Sequence, residues 1–327
     1  MAGYILRRML GMIPTLFIIS IIAFALIQLP PGDFLSSQLQ ELQQQGQQIN
    51  EEEIAALRAR YGLDQPMHMQ YLKWITHFVR GDMGYSFEWE RPVNELIWDR
   101  VGYTLVITLC SICFTWIVAM PIGIHSALKQ YSLSDYFFTT LGFLGLSTPA
   151  FVIALVLMYL GYEWFGISVG GLFSPEFIVA PWSLEKWIDL LKHIWVPTIV
   201  VGMAGTAGMI RVMRANLLDE LQKPYVVTAR AKGCPPIRLV LKYPVRIALN
   251  PFISTIGWML PQLFSGSALT AVVLSLPTTG PLLLRALQSQ DMNLAGSFIL
   301  ILSALTVVGT LVSDILLAVI DPRIRYE

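Results

Sequence analysis

This chain is short of charge. Of its 327 residues, 13% are Asp, Glu, Lys or Arg and 55% are hydrophobic. Soluble domains carry about 25% charged residues, so a deficit running through the whole chain excludes an ordinary water-soluble domain and points to lipid as the solvent. The formal net charge is zero; nucleic acid is not an expected partner, and any electrostatic signal has to be local. Only three cysteines occur. Cys110 and Cys113 form a C-x-x-C inside an uncharged run, where hydrocarbon disfavours the thiolates that redox or zinc chemistry needs, and Cys234 has no neighbour of its kind. His68, His77, His125 and His193 are scattered without metal-ligand spacing. The dipeptide Gly-Lys is missing, which excludes a phosphate-binding loop of the G-x-x-x-x-G-K type. Neither H-E-x-x-H nor an acidic calcium loop occurs, and no catalytic, metal or cofactor residues are expected in this chain.

What is present in quantity is uncharged length. A spanning helix needs about 20 apolar residues, and six such spans are expected: Met9–Leu29, Val101–Leu128, Tyr136–Tyr162, Ile194–Ile210, Pro251–Val273 and Met292–Ser313. The first follows Arg7 and Arg8, exceeds the roughly 7–15 residues of a signal-peptide core, and lacks a cleavage site; it reads as an uncleaved span. The run Ile247–Leu284 is too long for one helix, and Pro277, Gly280 and Pro281 mark a turn after the fifth span, followed by a short amphipathic helix at Leu282–Gln290. Gly202, Gly205 and Gly208 in the fourth span suit close helix approach. His125, Glu163 and Asp314 lie near span ends and read as interfacial. The chain thus divides into residues 1–29 (N-terminus and first span), 30–100 (an outer segment) and 101–327 (a core of five spans). Within the outer segment the Gln-rich Ser36–Glu53 reads as a polar helix or a tether, and Glu51–Leu63 as a helix.

Lys and Arg in short loops set orientation. With both termini inside, the cytoplasmic segments hold Arg7, Arg8, Lys129, Arg323, Arg325 and the loop 211–250, leaving Lys186, Lys192 and Arg285 in short outer loops. That loop concentrates Arg211, Arg214, Lys223, Arg230, Lys232, Arg238, Lys242 and Arg246 against Asp219 and Glu220 alone. Positive-inside topology explains a few of these. It does not explain the ordered series "YVVTARAKG", "PP" and a second helical run to Pro251. Small side chains bounded by Gly233 and Pro235 suit a short helix lying along the membrane face, with Ala229 and Ala231 allowing close approach to a partner's groove and Arg230 and Lys232 meeting acids on its rim.

The stretch resembles the coupling loop, E-A-A-x-x-x-G, of binding-protein-dependent ABC importer permeases. Val227, Thr228, Ala229 and Gly233 occupy those positions, so the leading Glu and first Ala are missing; T-A-R-A-K-G is instead similar to the dipeptide/oligopeptide/nickel permeases. The likeness continues in "YILRRMLGMIPTLFIISIIAFALIQLPPGD", "YGLDQPMHMQYLKWITHFVRGDMGYSF", "RPVNELIWDR", "LSTPAF" and "LAVIDPRIR", while Thr278 departs from the family's L-P-G-x-G. The member resembled is the permease with the long first outer loop. The resemblance implies an all-α membrane protein with six transmembrane helices, the type I importer permease fold and a periplasmic insertion between helices 1 and 2. It implies a bacterial inner-membrane location and four kinds of partner: a second related permease in a heterodimer, two ATPase subunits, an extracytoplasmic solute-binding protein and the lipid itself. ATP and magnesium would bind the ATPases, and Tyr225, Thr228, Ala229, Arg230, Ala231, Lys232 and Gly233 would form the coupling element. Peptides or oligosaccharides are the expected cargo, with opines or nickel as alternatives. A secondary carrier would show internal repeats and buried charges, and a membrane-embedded enzyme a paired Asp/His or Ser/Lys at bilayer depth; neither pattern is clear.

Overall fold

The computed structural model describes residues 2–29, 64–166, 170–252 and 268–320, and among these every regular element is a helix. In chain order they are α1 (Ala2–Gln28), α2 (Met67–Val79), α3 (Val93–Leu128), α4 (Leu133–Ser147), α5 (Ala150–Phe165), a 3-10 turn (Pro175–Phe177), α6 (Leu184–Leu221), α7 (Pro224–Ala231), α8 (Pro236–Lys242), α9 (Pro244–Ala248), α10 (Ala268–Val273), α11 (Thr279–Gln288) and α12 (Met292–Ile320). Three helices are long and apolar enough to cross a membrane alone: Leu10–Gln28 in α1, all of α3, and Met292–Val312 in α12. Two bent pairs raise the number to five. The remaining expected span, Pro251–Val273, falls largely on 253–267, outside the described residues, as do Ser36–Glu53 and Glu51–Leu63.

The expected third span is not one helix. Helices α4 and α5 meet at 102°, and Pro149 is the reason. It has no N–H to continue the helix, and its ring drives the preceding residue out of the α region. Thr148 is accordingly extended, at φ −94° and ψ 122°, with its hydroxyl returned to the Leu144 carbonyl at 2.8 Å. Pro14, Pro121 and Pro197 lie inside α1, α3 and α6 without ending them. The fourth span is longer than Ile194–Ile210 and bends by 52° between Met203 and Gly205.

Residues 1–102 with 278–307 form one compact unit, and 103–277 with 308–327 another. In the first, α2 lies against α1: the Phe24 and Tyr71 rings meet edge-on at 5.4 Å, and Ser20 Oγ pairs with the Tyr71 hydroxyl at 2.8 Å. Trp74 packs so closely on Gly296 that a Cβ there would lie 2.9 Å from its ring. Asp291, fully buried, caps α12 and gathers a distant loop. It accepts the Ser86 hydroxyl at 2.5 Å and the N–H groups of Phe87, Leu294 and Glu88 at 2.8, 3.1 and 3.3 Å. Burial pushes its carboxyl above the usual range, against the downward pull of those hydrogen bonds. Asn293 donates to the Tyr85 carbonyl at 2.9 Å, and Arg285 pairs with Glu88 at 3.0 Å. The amphipathic helix expected at Leu282–Gln290 is α11, which starts earlier and buries Gly280, Leu282 and Ala286.

Among the described residues the second unit has two apolar clusters. One gathers Ile107 of α3, Ala154 of α5, Leu190 and Val200 of α6 and Leu274; the other gathers Ala119, Met213, Leu217, Val226, Val245 and Phe252. Lys186, expected in an outer loop, is only 4% exposed. Its ammonium donates to the Ala180 carbonyl at 2.6 Å and lies 5.0 and 5.2 Å from the Phe173 and Trp182 ring centres, which replace the lost hydration. His125 pairs with Ser134 at 2.9 Å, and Glu163 is exposed. Small residues bring α3 and α6 together, as in membrane helix pairs generally. Thr115 donates to the Gly202 carbonyl at 3.0 Å, and a Cβ on Gly202 would stand 2.7 Å from the Phe114 ring. A Cβ on Gly123 would lie 2.6 Å from Met213 Cβ and 3.0 Å from the Ile210 carbonyl, whereas one on Gly208 meets nothing within 4 Å. Gly123→Ala is therefore expected to destabilise the chain by about 1–3 kcal/mol, read as a lower thermal midpoint in detergent. Gly208→Ala should leave that midpoint unchanged or raise it, since Ala favours the helix by up to about 1 kcal/mol.

Candidate functional site

Helix α6 delivers the chain to the basic loop. It ends at Leu221, and Pro224 starts α7 at a position where its missing N–H costs no hydrogen bond. The Tyr225 hydroxyl donates to Glu220 Oε2 at 2.5 Å across the turn. Partial burial, and then that carboxylate, push the Tyr225 phenol up, so it remains a neutral donor. Thr228 donates to the Pro224 carbonyl at 2.9 Å within the helix.

Eight residues are too few for a stable isolated helix, so packing holds α7 in place. Val226 is completely buried in the cluster of Met213 and Leu217, and Ala229 packs half-buried on the same side. Val227, Thr228, Arg230, Ala231, Lys232 and Gly233 are exposed. The two alanines therefore separate. Ala231 is open to a partner, whereas Ala229, three residues after Val226, shares its inward face.

The end of α7 is a Schellman motif. The Cys234 N–H reaches back to the Ala229 carbonyl at 3.2 Å and the Gly233 N–H to the Arg230 carbonyl at 3.0 Å, with Gly233 at φ +75°. Nothing lies within 4 Å of where a Gly233 Cβ would stand. The glycine is required by backbone conformation and not by crowding.

The second helical run is two short helices. Pro244 separates α8 from α9, and Leu239, Val240, Val245 and Ala248 point inward, leaving Arg238, Lys242 and Arg246 exposed. Lys242 lies over the Tyr243 ring at 5.5 Å. Two of the basic residues are already engaged elsewhere on α4. Arg211 stacks over Phe143 at 5.4 Å. Arg214 forms a fork with Asp135, Nε to Oδ1 at 3.1 Å and a terminal nitrogen to Oδ2 at 2.9 Å. Lys223, Arg230, Lys232, Arg238 and Arg246 form no ion pair among the described residues. The exposed face is thus cationic with Val227, Ile237 and Leu241 between the charges, a surface suited to an acidic-rimmed apolar groove.

Sequence reading missed Asp135. One signal was available: Ser132-x-x-Asp135 before an apolar run is a helix-capping pattern, and Ser132 Oγ accepts the Asp135 N–H at 3.2 Å. Its partner Arg214, 79 residues away, left no local trace. Elsewhere in this unit, a cleft of about 1180 Å³ is lined by Phe177, Ile188 and Trp195 together with Glu176, Glu185 and Lys192. Among the described residues no three His, Cys, Asp or Glu side chains are placed to hold a metal ion.

Residues 119–326 match the family described as the binding-protein-dependent transport system inner membrane component, and residues 1–108 match the N-terminal region of such membrane components. Over its whole length the chain is 34% identical to the oligopeptide transport system permease protein AppB of Bacillus subtilis, covering all of that protein. It is 33% identical to the glutathione transport system permease protein GsiC of Salmonella paratyphi A and 31% identical to the dipeptide transport system permease protein DppB of Escherichia coli, again with both chains fully covered.

Proposed function

The chain belongs to the inner-membrane components of binding-protein-dependent transport systems, and from that membership we propose that it is one half of the translocation path of an ATP-driven peptide importer. The match over both parts of the chain carries this reading, and the relatives named for oligopeptides, glutathione and dipeptides favour short peptides over oligosaccharides, opines or nickel.

The chain itself is not an enzyme. A second related permease completes the path, and two ATPase subunits hold the ATP and magnesium. A solute-binding protein delivers the peptide from outside, and both termini of this chain lie inside. Helix α7 sits in a groove on one ATPase, with Val227 and Ala231 as its apolar contacts and Arg230 and Lys232 on the rim. Nucleotide-driven closure of the ATPases favours one of two permease states through contacts made at α7, and hydrolysis resets them.

The test is reconstitution of this chain with its partner permease, ATPases and binding protein in proteoliposomes. Uptake of a labelled tripeptide is expected, dependent on both ATP and the binding protein, while the purified chain alone hydrolyses no ATP. Uptake of oligosaccharide, opine or nickel without peptide would replace the cargo assignment. ATP hydrolysis that survives removal of every partner would overturn the permease reading.

A further inference from the structure

We propose that the Asp135–Arg214 pair is the joint through which movement of α7 reaches the bent pair α4–α5, making both positioning residues for transport; this rests on the permease reading above.

The starting observation is which parts are rigidly connected. Helix α7 is anchored by Val226 in the same cluster as Met213 and Leu217 of α6, so α7 and the last turns of α6 form one body. Arg214 stands between those two anchors. On the other side of the joint, Asp135 ties the start of α4 to the turn that follows α3. It lies in the first turn of α4, its amide is capped by Ser132, and its Oδ2 accepts the Tyr131 N–H at 3.0 Å from the turn after α3. The carboxyl is 4% exposed and the guanidinium side chain 26%.

Geometry makes this link directional. Helices α4 and α6 run antiparallel, with Gly142 set against Ala207, where a Cβ would be 3.6 Å from Ala207 Cβ, and Asp135 set against Arg214. Apolar contacts of that kind permit sliding along the helix. A two-point guanidinium–carboxylate fork fixes register and angle together. It is also the only side-chain hydrogen bond joining α4 to α6 among the described residues. Buried charge pairs are often replaceable by apolar residues at no loss of stability, so its placement here, at the α7 end of α6, fits transmission better than adhesion. A push on α7 turns the end of α6, the fork carries Asp135 with it, and α4 moves against α5 at the 102° bend beside Pro149.

The experiment uses the complete reconstituted transporter and reads three quantities: ATPase co-purification, ATP hydrolysis, and peptide taken up per ATP. Arg214→Met, Asp135→Asn and the apolar double variant Asp135→Leu/Arg214→Met are expected to assemble and hydrolyse ATP. Each should lose about tenfold in peptide per ATP, within the range by which single residues alter coupling between sites. Arg214→Lys, which keeps the charge but not the fork, should lose part of it. Wild-type peptide per ATP in the apolar double variant would overturn the joint while leaving the permease reading intact. So would losses of assembly, hydrolysis and uptake in equal proportion in every variant. A wild-type complex that hydrolyses ATP without any uptake would overturn the permease reading itself.

Discussion

Val226→Asp is expected to leave the chain in the membrane while abolishing ATPase co-purification and uptake. Val226 is completely buried in the apolar cluster of Met213 and Leu217, where a carboxylate would lose its hydration. An unpaired buried charge costs several kcal/mol. Helix α7 has eight residues and little stability of its own, since isolated helices shorter than about 12–15 residues are marginal in water. It would leave its seat, and the surface offered to the ATPase would go with it. The effects should fall in order from there. Gly233→Val adds a side chain into open space but forces it to φ +75°, a strain of about 1–2 kcal/mol, and should weaken co-purification without eliminating it. Arg230→Ala removes an exposed charge, typically worth about 0–1 kcal/mol. Full ATPase co-purification with Val226→Asp, alongside its loss in Arg230→Ala, would mean that charge and not the seating of α7 governs docking.

Asp291→Ala should unfold the first unit at a markedly lower temperature. It removes the cap of α12, worth about 0.5–2 kcal/mol, and strips the acceptor from Ser86 and from the amides of Phe87 and Glu88, which lie on a segment some 200 residues earlier. Each buried donor left unsatisfied costs about 1–3 kcal/mol. The loss should show as proteolysis within residues 80–92 and a lower midpoint in detergent. Its pH dependence has a defined sign. Burial raises the Asp291 carboxyl in the folded state, so folding binds that proton more tightly than the unfolded chain does. The proton's contribution is complete below the unfolded value of about 4 and is lost as pH rises through the folded value. The gap between wild type and Asp291→Ala should therefore narrow as pH rises from about 4. A gap that widens over that range would show that the carboxylate, held by its four donors, is the form the fold prefers.

Much of this was legible in the residues alone. Uncharged runs placed one end of each of α1, α3 and α12 to within about a residue, because a span must satisfy its backbone internally and expose apolar side chains to lipid. The helices continue about seven or eight residues past the other end, because a helix can extend beyond the lipid. Gly233 and Pro235 marked the end of α7, since positive φ and a missing N–H are local properties. The kink at Pro149 was not legible. Pro14, Pro121 and Pro197 also lie in apolar runs, and whether a helix accommodates one, as α3 does at Pro121, depends on what packs around the freed carbonyl.

The sequence by itself determined that the chain is a helical membrane protein, where its apolar runs lie, and which loop carries the basic surface, because each follows from composition and spacing. Its two-part match to a permease family follows from the same linear order. Only the tertiary structure decided which members of that basic loop are free. Arg214 is committed to Asp135 and Arg211 to Phe143, Ala229 turns inward while Ala231 does not, and Lys186 is enclosed by rings and not by water. Each depends on a partner brought close by folding or on the phase of a helix against its neighbours, and neither is encoded in the spacing of residues along the chain.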